Sequence, residues 1–192
     1  GFAGAPFTLA AYLVEGGPSR DHLQARSLMH TDPIAWRDLL AWAAELSGVF
    51  LEGQAQAGAS AVQLFDSWAG SLSVQDYAAH VAASSMQTLE AVRELRYVDP
   101  QGDGYSTQSL PLPTVHFAVG ADHLLHEFAE LKTSAIGIDW RIPLDEASRR
   151  LGNTRTLQGN LNPALLFATP EALKFHIRAD IDRGRRAPAH IL

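Results

Sequence analysis

The sequence predicts an α/β fold built on a parallel sheet, and three observations carry that prediction. Short, largely apolar runs of 4–6 residues recur along the chain with Gly or Pro close by, as strands do. Longer stretches between them place apolar residues at helical spacing. The two kinds alternate, which is the order that βαβ units produce.

Taken in order, Ile34–Ala57 comes first among the clear helices. Ile34, Trp36, Leu39, Leu40, Ala43, Leu46, Val49 and Phe50 recur at helical spacing, predicting one long amphipathic helix or two, with Trp36 and Trp42 in a core or an interface. Ala61–Asp66 (AVQLFD) reads as a strand and Gln75–Leu95 as a helix. Val98–Pro113 holds Asp99-Pro100, Gly102-Asp103-Gly104 and two further prolines, so it reads as an irregular, exposed insertion. Thr114–Val119 and Ala135–Trp140 are strands separated by a helix over Asp122–Leu131. Leu144–Leu151 is a helix, Thr154–Gly159 a strand, Pro170–Arg183 a helix, and Ala189–Leu192 a last strand. Thr169 before Pro170 supplies an N-cap followed by proline at the first helical position. The strand starts at 114, 135 and 154 are about 20 residues apart, which calls for short helices. Residues 1–192 read as one α/β unit.

Composition excludes several classes. The 192 residues contain no cysteine, which removes disulfide scaffolds, Cys-ligated zinc, iron–sulfur clusters and thiol nucleophiles. Apolar stretches fall short of the roughly 18 residues a membrane span needs. The opening GFAGAPFTLA has neither a basic region nor a starting Met, unlike a secretory signal. A net charge of −6 with scattered arginines argues against nucleic acid as a partner. A cytoplasmic protein is expected.

Parallel sheets place their chemistry at the carboxyl ends of the strands. Those ends read Phe65-Asp66-Ser67-Trp68, His116-Phe117-Ala118, Asp139-Trp140-Arg141 and Gln158-Gly159-Asn160. Each sets polar side chains where a small-molecule pocket would form. His123 and His126 share a predicted helix face and His116 sits at a strand end, but this is generic ligand spacing and no metal site is expected there. Ser67 lacks the GxSxG elbow of a hydrolase nucleophile. The Gly-rich patches Gly1–Gly4 and Gly16-Gly17-Pro18 match neither a phosphate loop nor a dinucleotide fingerprint. From pattern alone, Tyr12 is a half-buried helix residue and Ser67 a helix cap. Arg149-Arg150 and the RGRR run at Arg183–Arg186 complement helix carboxyl ends.

Read as whole phrases, GFAGAPFTLAAYLVEGG, AGASAVQLFDSWAG, AIGIDWRIPLDEA and TLQGNLNPALLFA resemble, in order and at about the right spacing, the uroporphyrinogen decarboxylase family over essentially the whole chain. The departures are the Val98–Pro113 segment and Asn162, where an Asp is usual. The resemblance implies a (β/α)8 TIM barrel, here incomplete: GFAG ends the third strand, QLFDSW, TVHFAV, AIGIDW and TLQGN are the fourth to seventh, and AHIL opens the eighth. A complete barrel takes about 250 residues, so the expectation is a partial barrel cut through strands three and eight.

The implied reaction is cofactor-free removal of four acetate carboxylates from uroporphyrinogen III, giving coproporphyrinogen III. The family's substrate-binding tyrosine falls on Tyr12 and its substrate-binding serine on Ser67. Phe65 becomes a candidate for packing on the macrocycle and Gly4 for keeping the cleft floor open. The family's catalytic aspartate and arginine-rich loop belong to strands before GFAG, and its active-site histidine follows the stretch containing His190, so none has a counterpart in this sequence. Negligible turnover and exposed sheet edges are therefore expected of this chain alone, and a homodimer is expected of the family. The alternatives are a methyltransferase of the same superfamily, disfavoured because those enzymes use cysteine-ligated zinc, and a non-catalytic porphyrin-binding module.

Overall fold

The computed structural model describes residues 1–17, 19–100 and 107–192. Pro18 and the expected Gly102-Asp103-Gly104 turn lie outside them. Six parallel strands form the main sheet: β1 (Phe2–Gly4), β2 (Val62–Phe65), β5 (Thr114–Phe117), β6 (Ala135–Gly137), β7 (Thr156–Gln158) and β8 (His190–Ile191), in that spatial order. Every neighbour is the next strand of the sheet along the chain, so helices carry each return. All the predicted strands are present, each trimmed to the residues that pair.

The helices cover one face. α1 (Pro6–Glu15) opens on a proline and ends at Gly16, whose φ of 67° lets its N–H reach the Tyr12 carbonyl. α2 (Leu23–Thr31) follows, its first amides held by the Glu15 carboxylate at 2.9 and 3.0 Å from the Gln24 and Ala25 nitrogens. Those amide contacts, the Ala25 bond first, hold the Glu15 carboxyl below its usual range. α3 (Pro33–Gln56) is one uninterrupted 24-residue helix capped by Asp32, whose carboxylate accepts from the Ala35 amide. Trp36 is buried, while Trp42 on the same helix is half exposed beside Leu46, Val49 and Phe50.

The helix expected over Gln75–Leu95 is two: α4 (Val74–His80) and α5 (Ala82–Glu90). The break is at Val81, buried in the core with φ −129°, and the Ser84 hydroxyl donates to the Val81 carbonyl at 2.7 Å. A β-branched residue with a competing hydroxyl downstream breaks the ladder without glycine or proline. The described residues of the insertion are not irregular either. β3 (Arg96–Pro100) and β4 (Thr107–Pro111) form an antiparallel arm, Arg96 pairing with Pro111 and Pro100 with Thr107. Its prolines occupy the ends of a two-stranded ribbon, where a missing amide costs little. Short turns at Asp122–Leu124 and Pro163–Phe167 precede α6 (Leu125–Glu130) and α8 (Pro170–Gly184); α7 (Leu144–Arg150) lies between. Thr169 caps α8 as expected, accepting from the Ala172 amide at 3.3 Å.

Strand alternation divides the sheet. Leu64, Ile136 and Leu157 point into the helix layer, where Phe7, Trp36, Leu51, Tyr77, Phe128 and Leu144 complete the core. Gln63, Phe65, Phe117 and Gln158 line the opposite, concave face, around a groove of about 340 Å³.

Candidate functional site at the strand ends

The concave face carries an aromatic floor. Phe2, Phe65 and Phe117 come from three adjacent strands and meet edge to face, with ring centroids 5.8 and 5.9 Å apart. Gly137, paired with Phe117 in the sheet, makes room for it: a Cβ there would lie 2.7 Å from the Phe117 ring. Gly4 does not open the floor in the same way. Its missing Cβ faces Leu9, 2.9 Å away, so its smallness serves the close return of α1 onto β1.

Ser67 is two residues beyond Phe65, on the turn that follows β2. It is half-buried and does not cap the short helical turn that follows, whose N-cap is Trp68. Tyr12, on the last turns of α1, is 53% exposed, and its ring stacks on Trp68 at 4.0 Å. Trp68 in turn stacks on His22 at 4.4 Å. Tyr12 thus lies on the residue that follows Ser67 in the chain.

His22 is buried in a left-handed conformation, φ 50°, with Nδ1 3.2 Å from the Ser71 hydroxyl. Burial pushes its imidazole below the usual value, against the opposing pull of Glu15 and Asp21. Nothing in the local sequence marks His22 as a rim residue, because its ring contacts, with Phe7, Trp68 and Ser71, are tertiary.

The two strand-end aspartates are both committed to structure. Asp66 is fully buried and turned into the helix layer, where it accepts from the Thr8 hydroxyl at 3.2 Å and lies 3.7 Å from His116 Nε2. The same burial, with Asp66 nearby, pushes the Tyr77 phenol well above its usual range. Asp139 accepts from the Gly120 and Arg141 amides and from the Arg141 guanidinium, which lies 4.0 Å over the Trp140 ring. Asn160 ties this loop down by donating to the carbonyls of Asp139 and Ile142. Arg141 is thus a fixed, half-exposed cation on the rim, a role the strand-end reading of Asp139-Trp140-Arg141 did not specify.

The histidines expected to share a face do not gather. His116 is buried against Phe128, His123 contacts the Leu72 carbonyl at 2.8 Å, and His126 is exposed.

The family model described as uroporphyrinogen decarboxylase (URO-D) matches residues 1–192. Proteins named uroporphyrinogen decarboxylase from Leifsonia xyli, an Arthrobacter species and Tropheryma whipplei are 57%, 50% and 47% identical to this chain, each over its whole length. The chain covers 51%, 51% and 50% of those relatives, so it spans about half the length of the curated relatives it matches. Among solved structures, a methyltransferase from Methanosarcina mazei superposes with a TM-score of 0.77 over 98% of this chain and 51% of its own, at 16% identity, a likeness of fold.

Proposed function

This chain belongs to the uroporphyrinogen decarboxylase family, and from that premise we propose that it is part of an enzyme, a carboxy-lyase, that converts uroporphyrinogen III to coproporphyrinogen III without a cofactor. Protonation of a pyrrole carbon makes the ring an electron sink; the bond to each acetate carboxylate then breaks, CO₂ leaves, and a proton takes its place. The protein's task is to hold the anionic side chains and the cationic ring.

The observation that carries the reading is the Tyr12 ring lying on Trp68, the residue after Ser67 on the turn that follows β2, together with the Phe65–Phe117 floor at the ends of β2 and β5. In this reading the Tyr12 phenol and the Ser67 hydroxyl each donate a hydrogen bond to a substrate carboxylate, and the floor packs against the macrocycle. Residues 1–192 then form one partial (β/α)8 domain, from strand three to the start of strand eight. The sequential order of the six parallel strands supports this, as does the apolar stripe of Trp42, Leu46, Val49 and Phe50 that α3 leaves uncovered. A cytoplasmic setting and a homodimer belong to the same proposal. Among the described residues, no helix is long and apolar enough to cross a membrane.

The chain alone turns over negligibly in this reading. Asp66 faces the helix layer and Asp139 is engaged by Gly120 and Arg141, so neither is available to gather pyrrole N–H groups. The test is to titrate the chain with uroporphyrinogen III under anaerobic conditions, following tryptophan quenching, and to assay coproporphyrinogen by chromatography. Saturable binding without product is expected. Tyr12→Phe and Ser67→Ala should each weaken binding about fivefold, the loss of one hydrogen bond worth ~1 kcal/mol at an accessible rim. Appreciable coproporphyrinogen, or variants that bind as tightly as the unaltered chain, would contradict the proposal.

A further inference from the structure

A second constellation lies in the helix layer. His30 is in the last turn of α2, and Asp76 and His80 are four residues apart on α4, which puts them on one face. Each of the three offers one ligand atom, and those atoms all lie within 4.8 Å of one another. His30 Nε2 and Asp76 Oδ1 are 3.4 Å apart. A tetrahedral ion with bonds of about 2.05 Å needs its ligand atoms about 3.3 Å apart, so this pair already spans one edge of such a polyhedron. The His30 and His80 rings meet edge to face, 87° with centroids 5.5 Å apart, so the two imidazoles are already neighbours.

Complementing the helix ends accounts for Asp76 in the first turn and His80 in the last turn of α4, and for His30 in the last turn of α2, but not for the three side chains meeting. Asp76 is not the cap of α4, since Ser73 does that through the Asp76 amide at 3.0 Å. His80 serves the core through its backbone, its carbonyl accepting the Trp36 indole N–H at 3.2 Å, so its ring nitrogens are not committed to that contact. A simple His30–Asp76 ion pair would need neither His80 nor the i, i+4 placement on α4.

We propose that His30, Asp76 and His80 form a binding site for a divalent transition-metal ion, zinc or a close substitute. Two imidazoles and one carboxylate select that class over Mg²⁺ or Ca²⁺, which take oxygen ligands. Three protein ligands leave a fourth position for water. The ion joins α2 to α4, elements that are otherwise separated by the whole of α3 and β2. It is remote in role from the rim residues Tyr12 and Ser67, so it stands whether or not they bind a tetrapyrrole.

The experiment uses the purified chain, freed of metal by chelator and titrated with Co²⁺, then with Zn²⁺ in competition, followed by visible absorption and by calorimetry. One saturable equivalent with a tetrahedral Co²⁺ spectrum, bleached by Zn²⁺, is expected, together with a raised melting temperature. His30→Ala, at an exposed position where folding is insensitive, and His80→Ala should each weaken Zn²⁺ binding at least tenfold. His126→Ala, an exposed histidine on α6, should leave it unchanged. Circular dichroism of each variant separates loss of ligand from loss of fold. The proposal is overturned if no single equivalent saturates, if His30→Ala binds as well as the unaltered chain while folded, or if His126→Ala weakens binding as much.

Discussion

Gly70→Ala isolates how tightly the rim loops are packed. Gly70 lies in the turn Ala69–Ser71 just after Ser67 and Trp68, and a Cβ built on it would sit 2.3 Å from the Val119 carbonyl oxygen and 2.7 Å from that of Gly120. Real Cβ atoms essentially never come within 3.0 Å, so the two loops must part by at least 3.0 − 2.3 = 0.7 Å. The obstacles are backbone, and the Gly120 amide is bonded to buried Asp139, so neither side can swing away as a side chain would. Overpacking typically costs 1–3 kcal/mol, and a rigid double clash belongs at the top, about 3 kcal/mol. For a chain of this size that is a fall in Tm of roughly 6–12 °C. The matched control is Gly53→Ala, exposed in the interior of α3 with nothing within 4 Å of the new methyl. It should gain ~0.5–1 kcal/mol from helix propensity alone. Urea unfolding of the two variants measures both, and a Gly70→Ala protein within ~0.5 kcal/mol of the unaltered chain would refute the account of this contact.

Two other perturbations test the buried polar groups. His22 is held below the ordinary imidazole value of 6.5 by burial, so its neutral form belongs to the folded state. Its contribution to stability is complete above pH 6.5 and is lost as pH falls from there through the lowered value. His22→Asn, a residue that tolerates the left-handed backbone, should flatten the stability–pH curve below 6.5, and an unchanged slope would speak against this role. Asp66→Ala leaves Thr8 and His116 buried without their carboxylate and should cost about 1–3 kcal/mol, whereas Asp66→Asn, still able to accept from Thr8, should cost less. Urea midpoints decide it, and equal losses would mean that the Thr8 contact contributes nothing.

The residues that were readable in advance are those whose role is local or periodic. Leu64, Ile136 and Leu157 sit in short apolar runs between helices, and each is a buried strand residue. Thr169 and Pro170 announced the start of α8 by cap chemistry that needs no tertiary partner. Tyr12 and Ser67 could be singled out, but the stack of Tyr12 on Trp68, the residue after Ser67, depends on how α1 returns across β2, which no spacing encodes. The break at Val81 was hidden because it arises from core burial and one serine hydroxyl. Prolines that read as breakers over Val98–Pro113 instead terminate a paired ribbon. His30 is far in sequence from Asp76 and His80, so only the packing of α2 against α4 reveals that they converge.

The β3–β4 arm leaves and rejoins the body at a single point, where the Leu112 amide donates to the Leu95 carbonyl at 2.9 Å. Among the described residues of the arm, Tyr97 is the one that packs against the core. Because the two ends of the arm are tied by this bond, a peptide tag or a shorter turn spliced beyond Tyr97 is expected to leave the register of β5 with β2 in place. The insertion is thus a place where the chain can change in length without being redesigned, and the most convenient handle by which to immobilise or label it away from the strand ends.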